Sequence, residues 1–387
     1  MNFEWNLPTR IIFGAGRFAS AHKFVRGFGK RALIITSRSF GKSGARSAVL
    51  DALTAQLSRL GVEWTTFSEI EPNPRTATVD RAGAVARDFR PRYVIGLGGG
   101  SVMDAAKCVA LLVENEGGIY QYAHRGLGQT MKPFNHALPV VCIPTVAATG
   151  SEGDFYAVVT NHDEKKKVTL FGEALYPALS IIDPELTYSV GPEQTVDGAF
   201  DMITHVMESY LSSPAGAFPV QDRMTEALVE SVTRALPRVL ENPRDEQGRA
   251  QLSWCAALAL SGVLSGREGG WPIHALEHGL SAHSDASHGR GLALILPRMM
   301  AFDGGEKVAE FNRRIFDSPS LEHGLIAYMK KVGAWHTLDR PELIPMAVDH
   351  ALEMKGIWKR GDEPYLANCR PIYRADAVAI LEACLLT

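Results

Sequence analysis

The sequence predicts an α/β domain over residues 1–190, followed by an all-helical domain over residues 191–387. In the first part, short apolar runs such as 31–36 and 93–97 alternate with segments of helical periodicity such as 45–60. Such runs are typical of parallel strands buried on both faces, and their alternation with helices indicates a doubly wound parallel sheet. Near residue 190 this pattern ends, and apolar residues then recur at helical spacing. We therefore expect two domains.

The predicted elements follow one another in a regular order. In the α/β part we predict strands at 10–14, 31–36, 63–67, 93–97 and 138–143, helices at 45–60 and 76–89, and a last strand closed by a proline turn within 180–187. In the second part we predict helices at 221–241, 250–264, 274–283, 307–316 and 374–385.

Composition and charge exclude several classes of function. The 387 residues are enough for two domains, and the formal net charge of -3 favours neither a nucleic acid nor a membrane as partner. The five cysteines are scattered without a CxxC pair, which argues against a disulfide framework and a thiolate metal site. The first residues lack the pattern of a signal peptide, so we expect a cytoplasmic protein.

Two glycine-containing turns are candidates for binding a phosphate. The stretch from Gly14 to Ala19 matches the GxGxxG/A spacing, but glycines are common in strand-to-helix turns. The stretch Gly98, Gly99, Gly100 and Ser101 leads from a buried strand into a predicted helix, where bare amides and the helix dipole point at an anion. The second stretch indicates that the first domain binds a dinucleotide.

A hydroxyl-rich segment follows the predicted strand at 138–143. Thr145, Thr149 and Ser151 can donate hydrogen bonds to a ribose or a carboxamide, although such residues are also frequent turn formers.

The segment from 271 to 290 holds four of the twelve histidines. His274 and His278 are four residues apart in a predicted helix, so their imidazoles project from one face. His288 follows on the loop beyond that helix, where it can converge on the same point. Histidines of this kind are also common on surfaces, so the cluster alone leaves the question open.

Asp201 and His205 are likewise four residues apart, in an apolar helix. A buried carboxylate beside an imidazole needs a partner, because an unpaired buried charge is costly. One carboxylate with three imidazoles suits Fe²⁺ or Zn²⁺ better than Mg²⁺ or Ca²⁺. We predict a divalent cation on Asp201, His205, His274 and His288. Because these residues lie in the second domain and the phosphate turn in the first, we expect the active site in the cleft between them.

Five segments together resemble the iron-containing (group III) alcohol dehydrogenases, which have a dehydroquinate synthase-like fold. These segments are GGGSVMDAAK, IPTVAATGSE, DPELT, GAFDMITHVMESY and HALEHGLSAHSDASHG. The resemblance is closest to the branch of butanol dehydrogenases and NADPH-dependent aldehyde reductases. It implies hydride transfer between NAD(P)(H) and a small alcohol or aldehyde, the same four metal ligands, and a homodimer. It places the pyrophosphate on Gly98 to Ser101, so we interpret the Gly14 turn as structural.

The resemblance also implies roles for individual residues. His278 matches a histidine that lies beside the metal, which suits a proton relay. Lys167 matches a lysine that contacts the cofactor, although it lies in a run of three lysines that can equally be a solvated surface. Val146 and Trp271 depart from the family's pattern and are expected to shape the nicotinamide or substrate pocket. The implied cofactor contacts are Asn73, Asp104, Thr145, Thr149, Ser151, Lys167 and Leu186, with Asp104 on the nicotinamide side and Leu186 on the adenosine side.

Ser37, Arg38 and Ser39 bear on the choice of cofactor. Members that prefer NAD resemble one another in having Asp after the second strand, where a carboxylate holds the ribose hydroxyls and repels a 2′-phosphate. Serines and a guanidinium can instead bind that phosphate by charge-assisted hydrogen bonds. We therefore predict NADP in preference to NAD.

Two other functions remain open from the sequence. A lyase of the dehydroquinate synthase kind would share the fold, NAD and metal, but would need a basic pocket, and the helical part has no dense cluster of Lys and Arg. A metal-dependent hydrolase could use the same Asp and His residues, with the glycines merely structural.

Overall fold

The computed structural model describes residues 3–40, 44–264, 270–355 and 358–385. Its strands are β1 (Arg10–Phe13), β2 (Arg31–Ser37), β3 (Glu63–Ile70), β4 (Tyr93–Gly98), β5 (Val140–Pro144), β6 (Tyr156–Asn161), β7 (Lys166–Phe171), β8 (Leu179–Ile182), β9 (Trp358–Arg360) and β10 (Glu363–Tyr365). Its helices are α1 (Ala21–Val25), α2 (Ala45–Arg59), α3 (Thr76–Phe89), α4 (Gly100–Glu114), α5 (Pro192–Leu211), α6 (Pro219–Glu241), α7 (Glu246–Ala259), α8 (Pro272–Ser284), α9 (His288–Asp303), α10 (Gly305–Phe316), α11 (Ala327–Val332), α12 (Ile344–Lys355) and α13 (Arg374–Glu382).

Six strands form one parallel sheet in the order β1-β8-β5-β4-β2-β3. Alternate side chains of β2 enter different cores: Leu33 and Ile35 pack with α3 and α4 on one face, whereas Ile34 packs with α2 on the other. Because both faces of the sheet are covered, the inner strands are mostly apolar. This confirms the predicted doubly wound parallel sheet.

The turns after β4 and β5 lie side by side at the carboxyl end of the sheet. Gly98 pairs with Pro144 in register, and the amide of Thr145 donates to the carbonyl of Gly98 over 2.9 Å. The glycine turn and the hydroxyl-rich segment therefore share one edge, where ligands of open α/β sheets bind.

An antiparallel hairpin of β6 and β7 stands apart from the main sheet and was not expected from the sequence. Its strands pair from Tyr156 with Phe171 to Asn161 with Lys166. One strand packs against α4 and the other against α8. The hairpin therefore connects the sheet to the helical part of the molecule.

The second half is helical, as predicted, and holds the largest apolar core. Helix α5 runs through its middle and is buried at every position from Thr195 to Glu208, because α6 and α9 cover it. Among the described residues, none of the helices is both long and apolar enough to cross a membrane.

The expectation of an entirely helical second half was wrong in one place. Strands β9 and β10 form a small antiparallel hairpin around Gly361, whose φ of 65° suits a tight turn. Strands of three residues are too short to produce a recognisable periodic pattern, which is why they were not predicted.

Candidate active site

A cavity of about 380 Å³ lies where the carboxyl end of the sheet meets the helices. Twelve of the residues proposed as metal ligands, proton relay or cofactor contacts line it: Asn73, Gly100, Ser101, Asp104, Thr149, Ser151, Lys167, Asp201, His205, His274, His278 and His288. The other proposed residues lie outside its lining: Ser37, Arg38, Ser39, Gly98, Gly99, Thr145 and Leu186. Both halves of the chain contribute, so the cavity is a cleft between the two kinds of architecture.

Three of the four predicted metal ligands form one buried group. Asp201 and His205 come from one face of α5 and His274 from the first turn of α8, with ligand atoms all within 4.8 Å of one another. Oδ1 of Asp201 lies 3.4 Å from Nδ1 of His205, and neither atom has a hydrogen-bond partner among the described residues. Two buried polar atoms that face each other without a hydrogen bond fit a divalent cation.

His288, the fourth predicted ligand, is the first residue of α9 and does not lie on a loop as the sequence suggested. Its ring is 5.3 Å from that of His274, between centroids, and it also groups with Glu277 and His278. A Cβ on Gly289 would lie 2.2 Å from the carbonyl oxygen of Asp197, so this glycine lets α9 approach α5 closely. That approach brings His288 to the cluster.

Burial makes this cluster unfavourable for unpartnered charge. Burial raises the pKa of Asp201 to about 6, with His288 acting in the opposite direction. Burial and the neighbouring His274 hold the pKa of His205 well below its usual value of 6.5. Neutral imidazoles keep their lone pairs for coordination, and a cation among them reverses the cost of ionising Asp201.

Two buried glutamates contact the predicted ligands and were missed in the sequence analysis. Oε2 of Glu208 lies 2.5 Å from Nδ1 of His274, and Oε1 accepts from the amides of Ile273 and His274. Oε2 of Glu277 contacts Nδ1 of His288. Burial would raise the pKa of Glu277, but His288 and Lys167 outweigh it and lower that pKa to about 2. Both glutamates could have been found from the sequence, because each follows a predicted ligand by three residues on the same helix: Glu208 follows His205, and Glu277 follows His274.

Lys167 does not extend into solvent as a surface charge run would. It is 4% exposed, and its Nζ lies 3.3 Å from Oε2 of Glu277 and 3.2 Å from Oγ of Ser281. Lys165 is exposed, and Lys166 pairs with Glu353 near the surface. Lys167 therefore belongs to the histidine cluster in this structure, and its contact with a cofactor stays a prediction.

His278 projects from α8 into the same cavity, with its ring 5.4 Å from that of His288. Burial, reinforced by the positive charge of Lys167, holds its pKa well below 6.5.

The sheet side of the cavity is held by hydrogen bonds to Asp104. Its carboxylate accepts from Oγ of Ser151 over 2.7 Å and from the amide of Val158 over 2.9 Å. Burial raises the pKa of Asp104 to about 6, against the effect of nearby Lys107. A Cβ on Gly100 would lie 2.4 Å from the Thr149 side chain, so only glycine lets the hydroxyl-rich turn approach the start of α4 this closely.

The Ser37 to Ser39 segment lies at the carboxyl end of β2, outside the cavity lining. The Ser37 and Ser39 hydroxyls are 2.7 Å apart, and Arg46 at the start of α2 donates to Ser39 over 2.9 Å. Arg46 was not considered in the sequence analysis, because it lies seven positions beyond Ser39 along the chain.

The Gly14 turn is structural, as interpreted. The Asp183 carboxylate accepts from the amides of Gly16 and Phe18, over 3.2 and 2.8 Å. An acidic side chain therefore occupies the amides that a phosphate would need. Leu186, on the next turn, packs against the apolar core of that face of the sheet.

Trp271 and Asn73 also line the cavity. Trp271 has a left-handed φ of 53°, and its ring packs edge-on against that of His274 at 5.3 Å. Asn73 donates to Asp285 over 3.2 Å, across the gap between the sheet and α8. Val146, in contrast, lies behind Gly99 and outside the lining.

Two family models and several known proteins match this chain over most of its length. The family model described as iron-containing alcohol dehydrogenase matches residues 8–184, and the model of the C-terminal part of the Fe-containing alcohol dehydrogenase family matches residues 195–383. NADH-dependent butanol dehydrogenase B of Clostridium acetobutylicum is 34% identical over 303 residues, which are 78% of this chain and 75% of the relative.

Two further proteins extend this similarity. NADPH-dependent aldehyde reductase YqhD of Escherichia coli is 30% identical over 299 residues, which are 77% of this chain and 75% of the relative. The crystal structure of NADH-dependent butanol dehydrogenase A from Thermotoga maritima superposes with a TM-score of 0.89 at 32% identity, and covers 99% of this chain and 98% of that chain.

Proposed function

The chain belongs to the iron-containing alcohol dehydrogenase family, and on that premise we propose that it interconverts a small alcohol and its aldehyde with NADP(H) in the described cavity. It is an oxidoreductase that uses NAD(P) and a divalent metal. The choice of residues, of cofactor and of assembly is the part that we propose.

The proposed metal ligands are Asp201, His205, His274 and His288, and the metal is Fe²⁺ or Zn²⁺. The observation that carries this proposal is the buried pair of Asp201 and His205, whose facing atoms lie 3.4 Å apart without a hydrogen bond. One carboxylate and several neutral imidazoles suit either cation. When bound, the cation polarises the alcohol or carbonyl oxygen as a Lewis acid, and the nicotinamide accepts or returns the hydride.

The chain's own residues bind, orient and shield the reactants in this proposal. The start of α4 at Gly98 to Ser101 binds the pyrophosphate with its free amides and helix dipole. Thr145, Thr149 and Ser151 follow that turn along the cofactor groove, with Asn73, Asp104, Lys167 and Leu186 as further contacts. Trp271 excludes water from the imidazoles, and His278 moves the proton between the substrate oxygen and solvent.

We propose NADP(H) as the preferred cofactor, because Ser37, Arg38 and Ser39 replace the carboxylate that would repel a 2′-phosphate. The serine hydroxyls and the guanidinium of Arg46 form one polar group there, and among the described residues no acidic side chain is hydrogen-bonded to it. The relatives include an NADH-dependent and an NADPH-dependent enzyme, so the preference depends on these residues alone.

A lyase of the dehydroquinate synthase kind is less well supported. Such an enzyme would need several cations around a phosphorylated and carboxylated substrate, and Lys167 is the one lysine or arginine in the cavity lining within the described parts of the chain. That lysine is already paired with Glu277. A hydrolase on the same residues would be indifferent to nicotinamide cofactors, and the relatives are dehydrogenases and reductases.

The organisation of the protein is also a proposal. We place the domain boundary near residue 190, between the last sheet strand, β8, and the first long helix, α5. A homodimer is supported by the edge strand β1 and by the exposed side chains of Phe3 and Trp5, which precede it in the chain. A cytoplasmic location is supported by free cysteine thiols such as buried Cys108 and Cys142.

The test is the absorbance at 340 nm of NADPH or NADH with the metal-loaded protein and a panel of short aldehydes. We expect oxidation that EDTA abolishes and that is faster with NADPH. The His274→Ala and Asp201→Ala variants should lose metal and turnover together. Nucleotide binding without oxidation by any aldehyde would favour the lyase, and a variant that kept its metal would refute the ligand assignment.

A further inference from the structure

The ring of His288 has two alternative hydrogen bonds at the same nitrogen. Nδ1 contacts Oε2 of Glu277, and it also lies 3.3 Å from Nζ of Lys167. If Nδ1 carries the hydrogen, it donates to Glu277 and leaves Nε2 with a free lone pair. If Nδ1 instead accepts from Lys167, the hydrogen must reside on Nε2 in the neutral ring. Only the first arrangement lets Nε2 bind a metal.

The surroundings favour the first arrangement. Glu277 is fully buried, and its Oε2 lies 3.3 Å from Nζ of Lys167, so the ammonium compensates the carboxylate directly. Ser281 takes a further hydrogen bond of the same ammonium at 3.2 Å. With two oxygen acceptors at hand, Lys167 does not depend on the imidazole as an acceptor. The carboxylate remains charged and oriented toward His288.

Next to His288 lies a second group of possible metal ligands, which we do not interpret as a second metal site. Glu277, His278 and His288 form a group whose ligand atoms lie within 4.8 Å of one another, as a second site would require. The Lys167 ammonium, however, already supplies a positive charge to this group. We therefore regard the group as the support of one metal centre and not as another centre.

We propose that Glu277 and Lys167 are a positioning pair that selects the metal-binding tautomer of His288, Glu277 directly and Lys167 by keeping the carboxylate in place. This rests on His288 being a metal ligand, as proposed above. Glu208 contacts His274 in the same way, since Nδ1 of His274 lies 2.5 Å from the Glu208 carboxylate. Each of the two imidazoles therefore has a buried carboxylate at its Nδ1.

The experiment measures the affinity of the metal-free protein for Zn²⁺ by competition with a chromophoric chelator. We expect Glu277→Leu to weaken binding by about 10- to 100-fold, the range for carboxylates that orient ligating histidines. Glu277→Gln keeps an acceptor for Nδ1 and should lose less. Lys166→Met, a change in the neighbouring lysine at the surface, should leave affinity and activity as they are.

The double variant separates tautomer selection from general damage. With Glu277→Leu alone, Lys167 is left to donate to Nδ1, which forces the hydrogen onto Nε2. Adding Lys167→Met removes that donor, so the double variant should bind Zn²⁺ more tightly than Glu277→Leu. Lys167→Met in the native background should bring no such gain, which distinguishes the tautomer effect from simple repulsion of the cation by the ammonium.

Three outcomes would overturn the inference or its premise. If the double variant binds no better than Glu277→Leu, or if Lys167→Met improves binding equally in both backgrounds, the tautomer argument is wrong. If His288→Ala binds Zn²⁺ like the native protein, the ligand assignment itself fails. Near-ultraviolet circular dichroism of each metal-free variant tests whether it is folded. If Glu277→Leu is not folded, the Zn²⁺ affinity of Glu277→Gln is the deciding measurement.

Discussion

Replacing Lys107 with Met removes a buried ammonium group and leaves its partners in place. Lys107 lies on α4 and is fully buried, and its Nζ donates to Oδ1 of Asp154 over 2.7 Å. It also donates to the carbonyl oxygens of Asp154 and Tyr156, over 3.1 and 2.8 Å. Since Asp154 and Tyr156 line the cavity, this one side chain fixes part of its wall to the sheet domain.

The expected loss follows from burial. Breaking a buried ion pair by removing one partner costs about 3–5 kcal/mol, because the remaining charge is left without compensation. At about 2–4 °C per kcal/mol for a unit of this size, the melting temperature should fall by about 6–20 °C. Burial already raises the pKa of Asp154 and Lys107 opposes that rise, so the variant's Asp154 should be protonated at higher pH. The loss should therefore be largest at alkaline pH and shrink as the pH falls.

The assay is urea or thermal unfolding of Lys107→Met between about pH 5 and about pH 8, because buried carboxyl groups titrate in this range. Lys330→Met is the matched control, because Lys330 pairs with Glu322 at 2.9 Å with both side chains more than half exposed, and about 0–1 kcal/mol is expected there. Adding Asp154→Leu to Lys107→Met should recover part of the loss, since no charge is then left unpaired. A Lys107→Met variant as stable as the control, at every pH, would refute the reasoning.

Three further predictions follow from the same contacts. Burial raises the pKa of Glu152 from 4.5 to about 7, so the folded state binds this proton more tightly than the unfolded state does. The free energy of unfolding should therefore rise by up to about 3 kcal/mol as the pH falls from about 7 toward 4.5. Glu152→Gln should flatten this pH dependence in urea unfolding. Removing the metal with EDTA should lower the melting temperature, because Asp201 and His205 lose their partner, and Zn²⁺ should restore it in the native protein but not in His205→Ala. Ser37→Asp should shift the ratio of kcat/KM from NADPH toward NADH by about 10-fold or more, and an unchanged ratio would place the 2′-phosphate elsewhere.

Local patterns in the sequence were enough for the main parallel sheet and for many of the helices. The buried strands and the helices were recognisable because each has its own period, and helix α3 was predicted at 76–89, where the structure has it. The pairs Asp201 with His205 and His274 with His278 share helix faces for the same reason, since residues four apart in a helix are neighbours. The glycine turn before α4 was recognisable because it joins a strand to a helix.

The tertiary structure decided what surrounds those residues. Lys167 and Glu277 are 110 positions apart, and the unforeseen hairpin of β6 and β7 brings them together. Glu208 reaches His274 across 66 positions, and Arg46 reaches Ser39 across seven. The sequence by itself determined the strands of the main sheet, many of the helices and which of their side chains share a face, because these depend on neighbours along the chain. The pairing of buried charges depends on how elements far apart in the chain pack together, and local sequence patterns do not reveal those contacts.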